Sequence, residues 1–219
     1  TGNKAAKGGG VYVAGSSTVN TFNMYGGTIS GNTAQDDEDT QNDGAGGGVY
    51  IESGSAFTMT GGTIGGTGTG EANTATSGGG VYMDGGKFTM SGGSISGNSG
   101  CGVYVESGTF TMSDSASITG NSGGVNVRTN GKFVMSGGSI ANNMVTGNGG
   151  GVYVNGTFEM SGGSITDNTA SGTGCGGGVD AASGTFTMSG GSIANNTANI
   201  SGGGVIIELG TFNMSDSAS

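Results

Sequence analysis

Three carboxylates recur at one place in a repeated pattern. Glu52, Asp84 and Glu106 each follow a Val-Tyr-x triplet, and Arg128 takes the same place one repeat later. If the repeats stack, these side chains form an outward column with a rise of about 4.8 Å. Carboxylates paired along such a column could serve as acid and base on a glycosidic bond. The alternative is a solvated face on which Glu106 and Arg128 form a weak surface pair. The chain has no His and a single Arg, which excludes Ser-His and Cys-His triads and leaves few general acid–base partners.

Other residue types suggest binding. Tyr12, Tyr50, Tyr82, Tyr104 and Tyr153 share one outward slot, interrupted by Asn126, Asp180 and Ile206. Such a row could stack on sugar rings or on a partner protein, or its members could stack on one another and stiffen the sheet. Asp36, Asp37, Asp39 and Asp43, with Glu38 and Asn42 among them, form an oxygen-rich cluster that is a weak calcium candidate. Their spacing matches neither an EF-hand nor the Gly-Gly-x-Gly-x-Asp nonapeptide of calcium β-rolls. No other cofactor is expected, and two Cys without His make zinc a poor fit. Cys101 and Cys175 lie three repeats apart, about 14 Å along a stacked axis, so free thiols are expected. Thr-x-Thr-x-Ser runs at Thr109–Ser113 and Thr185–Ser189 raise ice binding as a remote alternative, although Lys87, Lys132, Glu159, Asn23 and Val134 break the array.

The elements that would hold these residues come from a repeat. The stretch Thr185–Asn196, TFTMSGGSIANN, has close copies beginning at Thr21, Ala56, Lys87, Thr109, Lys132 and Thr157, with an incomplete one from Thr211. Between copies stands Gly-Gly-Val-Tyr-Val or a variant, with its leading Val at 11, 49, 81, 103, 125, 152, 179 and 205. Phe and Met lie two apart and point one way while Thr and Ser point the other. Met188 and Ile193 are an odd five apart, so the intervening Gly190-Gly191 must turn the chain for both to face inward.

Three short strands per coil result, and the shortest complete repeat, about 22 residues, suits one lap of a solenoid. About eight coils pairing in parallel would make a rod on the order of 38 Å long. Asn recurs three residues after Ile, at 32, 98, 121, 143, 168 and 196, with Thr67 in its place in the second copy. These asparagines are expected to form an inward amide ladder. From that position to the next Val the length varies from 4 to 17 residues, so insertions collect at one corner, above all Gln35–Gly46 and Thr67–Ser77.

Composition narrows the role. The chain has 219 residues, 55 Gly, no Pro and a formal charge of −10. Its basic residues are scattered singly, so nucleic acid has no electrostatic footprint here. No apolar run reaches the length of a membrane span. Both ends fall inside a repeat, and we read residues 1–219 as a single β-helix repeat domain, an excerpt of a longer array whose open ends would favour end-to-end stacking.

The paired Gly-Gly-Val-Tyr-Val and Ile-x-x-Asn motifs resemble the GGA(I/V) and FxxN repeats of polymorphic outer-membrane proteins. They are similar more broadly to the right-handed parallel β-helix surface proteins of the pectin-lyase-like superfamily, adhesin-like and autotransporter passenger domains among them. The chain departs from the motif in using Ile for Phe before x-x-Asn, and Val for Ala. The resemblance implies a right-handed all-β solenoid that is secreted or at the cell surface. Its expected partners are a cell-surface glycan or protein, or further copies of itself. The superfamily holds lyases and hydrolases beside adhesins and stalks, so the fold alone does not assign an activity. Repeat regularity without a singular polar cluster favours a rod that is not an enzyme, with a lyase or glycoside hydrolase acting through Glu52, Asp84 and Glu106 as the alternative.

Overall fold

A period-two pattern repeated eight times requires the same side chains to meet on every lap. The computed structural model of the protein describes residues 1–35 and 44–219, and in it they meet. Val103 pairs with Val81 and Val125, Phe110 with Phe88 and Phe133, and Ile118 with Ile95 and Ile140, all in parallel strands. Phe88, Met112, Ile140 and Val152 are fully buried in one continuous apolar core. The described residues contain strands and no helix. The molecule is an all-β parallel solenoid of about eight coils.

Inside, the phenylalanines form an unbroken stack from Phe22 to Phe212, with ring centroids 4.6–4.8 Å apart. This is the coil rise itself, so strand pairing and ring stacking enforce the same distance. The turn between Met and Ile needs a left-handed residue. Gly163 supplies it at φ +87, where a Cβ would also come within 2.6 Å of Met135 Cε. The Phe110 copy lacks the Gly-Gly pair. There Asp114 adopts φ 51, and Ala116 is buried against the core, which absorbs the extra residue of that copy.

The amide ladder closes the next corner. It runs Asn3, Asn32, Asn73, Asn98, Asn121, Asn143, Asn168, Asn196. Each Oδ1 from Asn32 onward accepts both the backbone N–H and the Nδ2 of the preceding rung, the latter at 2.9–3.0 Å. From Asn73 onward the second Nδ2 hydrogen goes to an Ile carbonyl at 2.8–3.1 Å. Every polar atom of these buried amides is thereby matched. Before most rungs stands a residue in the left-handed region: Gly31, Gly97 and Gly120, then Asn142, Asp167 and Asn195. Only Gly, Asn and Asp take that conformation readily.

One rung differs from the sequence expectation. Asn73, not Thr67, fills the second coil's place: Thr67 is exposed, and Asn73 is fully buried. The reason is that this coil's insertion comes before the rung rather than after it. Gly66-Thr67 imitates the Gly-Asn of other copies, but a hydroxyl cannot both accept two bonds and donate two. The three expected strands are present, and a short further pairing follows most of the ladder Asn residues, as in Met144–Thr146 against Thr169–Ser171.

The ladder yields a direct comparison. Asn73→Ala strands the N–H and Nδ2 of Asn32, and equilibrium urea unfolding should show a loss of about 3 kcal/mol or more. Thr67→Ala should stay within about 0.5 kcal/mol of wild type. Equal losses for the two variants would contradict the assignment of this rung.

Candidate functional site

The outward slot beside each inward Val places one column along the rod. Tyr12, Tyr50, Tyr82 and Tyr104 stand in register there and stack face to face, with centroids 5.1–5.2 Å apart and planes 7–16° from parallel. Their exposure is uneven. Tyr12 is 42% exposed, Tyr82, Tyr104 and Tyr153 are partly buried, and Tyr50 is only 2% exposed, with Lys7 Nζ 5.2 Å from its ring centroid. The row therefore exists, but its rings chiefly contact one another and their edges face outward. Asn126 follows Tyr104 in register, then Tyr153, Asp180 and Ile206.

The carboxylate column runs beside this row, and its members are engaged. Glu52 accepts a hydrogen bond from Gly15 N at 2.7 Å, and Tyr50 Oη donates to Asp84 at 2.8 Å. The Gly15 bond, then the Tyr12 hydroxyl, hold Glu52 below the usual carboxylate range. Glu106 lies 3.9 Å from Arg128, both about half exposed. Glu52 and Asp84 pair directly, but the strand register slips after Val105, so Glu106 is out of step with the other two. The column is an alignment of hydrogen-bond and ion-pair acceptors. On the neighbouring Phe-x-Met face, the Lys132–Glu159 pair at 2.7 Å crosses the threonine array. The calcium candidates Asp36, Asp37, Asp39 and Asp43 lie outside the described residues. Cys101 and Cys175 are both free thiols, and burial pushes Cys101 up to about 11.

Two residues of the tyrosine column stand out only in three dimensions. Asp180 is fully buried, and neither carboxylate oxygen has a hydrogen-bond partner. Burial, then the charge of Glu208, raises it to about 6, against an opposing pull from the Asn148 amide. The other is Asn126, whose Oδ1 is likewise buried without a partner. It lies in a cleft of 230 Å³ between Tyr104 and Tyr153, with Cys101, Val145 and Asn148 also on its walls. The cleft has a simple origin. Only four residues separate Asn98 from Val103 and three separate Asn121 from Val125, whereas seven lie between Asn73 and Val81 and eight between Asn143 and Val152 in the flanking coils. Two short corners thus lie between two longer ones. Sequence reasoning noted Asn126 and Asp180 only as interruptions of the tyrosine row. Their substitution for Tyr was the available signal, but burial was not visible in it.

A family model described as a right handed beta helix region matches residues 1–159. The chain belongs to the right-handed β-helix family. No curated protein and no solved structure matches it. Family membership agrees with the parallel coils of this β-helix. The family includes both enzymes and non-enzymes.

Asp180 makes the stability of the β-helix depend on pH. Its folded value lies above its ordinary 3.8, so the fold prefers the neutral acid. Its contribution is complete below about pH 4 and is lost as pH rises through about 6. Asp180→Asn should remove that decline and melt higher than wild type at neutral pH. Glu52, held low, gives the opposite slope but contributes equally to both proteins. Thermal unfolding of the two from about pH 4 to about pH 8 reads the difference, and parallel curves would refute it.

Proposed function

We propose that this β-helix is a non-catalytic extracellular rod, a stalk or adhesin segment of a microbial surface protein or filament. What carries the reading is the use already made of the outer carboxylates. Glu52, Asp84 and Glu106 are held by Gly15, Tyr50 and Arg128, and Glu52 is kept below the usual carboxylate range, away from that of a general acid. The described residues also gather no set of three or more His, Cys, Asp or Glu that could hold a metal.

A rod needs regular pairing and a surface. The coils give stability by nearest-neighbour contact, and the tyrosine row with its variable corners gives recognition. The partners would be a cell-surface glycan or protein docking on the outward edges of Tyr12, Tyr82, Tyr104 and Tyr153, with the buried Tyr50 serving only as a stacked support, or further copies of the same coil stacked along the axis. The strongly acidic composition, −10 overall, disfavours nucleic acid and anionic lipid surfaces as partners.

Incubation with a panel of neutral and acidic polysaccharides tests the reading. No release of reducing ends or unsaturated products is expected. Product release that disappears in Glu106→Gln would instead assign a lyase or glycoside hydrolase.

A further inference from the structure

We propose that the break in the tyrosine row at Asn126 is a binding slot for an uncharged planar aromatic ring with an N–H or O–H on its edge. Tyr82 and Tyr104 show what an occupied pair of rungs looks like: parallel faces with centroids 5.1 Å apart. Asn126 stands in register between Tyr104 and Tyr153, so those two rings are separated by two coil rises, roughly 10 Å. One ring inserted between them stacks on both at the spacing of the neighbouring pairs.

The carboxamide of Asn126 fills only the root of that rung, because it ends where a tyrosine ring begins. The outer part is the cleft already described, 230 Å³ in volume. Asn126 lines this cleft, and its Oδ1 is a buried acceptor that the protein itself does not satisfy. A buried acceptor without a donor is unfavourable, and a turn of the amide about its last side-chain bond aims it at the edge of an inserted ring. The short corners of residues 98–103 and 121–125 leave the entrance clear, while Val145 and Asn148 of the next corner form a wall. The formal charge of −10 disfavours phosphorylated or carboxylated rings.

Flat faces at this separation favour an aromatic ring over a puckered sugar. The inference goes beyond the rod reading and can fail separately from it: an empty slot leaves the rod intact, and polysaccharide cleavage leaves the slot intact.

Isothermal titration calorimetry with indole as the probe tests the slot. Saturable one-to-one binding is expected, about tenfold weaker for N-methylindole, which lacks the edge donor. Methyl β-glucopyranoside should not bind at the same concentrations. Tyr104→Ala should weaken indole binding about tenfold. Asn126→Tyr supplies the ring from the chain itself and should abolish binding while raising the melting temperature, a pairing that a misfolded variant would not give. Absence of saturable indole binding, binding unchanged in Asn126→Tyr, or a preference for the glucoside would each overturn the proposal.

Discussion

The structure depends on one distance. A parallel strand pair, a stacked aromatic pair and an amide–amide hydrogen bond all repeat at close to 4.8 Å, so identical side chains in successive coils satisfy one another without adjustment. The phenylalanine stack at 4.6–4.8 Å and the asparagine ladder at 2.9–3.0 Å are two expressions of that coincidence. The ladder is the more demanding. A buried phenylalanine tolerates an apolar substitute, whereas a buried amide missing from one rung leaves donors unmet on the coil before it.

The same repetition explains how the polar groups of the outer face are engaged. Where a column holds one residue type, its members pair with one another or with the adjacent column. Tyrosines stack on tyrosines, and the hydroxyl of Tyr50 meets Asp84 of the next coil. Polar groups engaged in this way hold successive coils together. Groups left unmatched appear where the column changes type. Asn126 and Asp180 both stand in tyrosine positions, and both carry buried oxygens without partners. Departures from periodicity, and not the periodic face itself, are therefore where local chemistry concentrates in this molecule.

Corner length adds a second variable that the repeat does not control. Coils with three or four residues between the ladder Asn and the next Val have shorter corners than coils with seven or eight. A surface assembled from identical laps thus acquires relief, and the cleft at Asn126 lies where two short corners adjoin longer ones.

The sequence by itself determined the coil. The near-constant spacing from Phe-x-Met to Ile, with the alternation inside Val-x-Val and Phe-x-Met, assigns the inward residues of those strands, and the recurring Asn announces the ladder. It misled at Thr67, where spacing counted along the chain pointed to a rung that belongs to Asn73. Only the tertiary structure could decide this, since an insertion placed before or after a corner reads alike until the coil closes. The same holds for the outer column. Spacing showed that Tyr50, Asn126 and Asp180 share a slot, but their burial is set by corners contributed from neighbouring coils, and such contacts arise only when the laps are stacked.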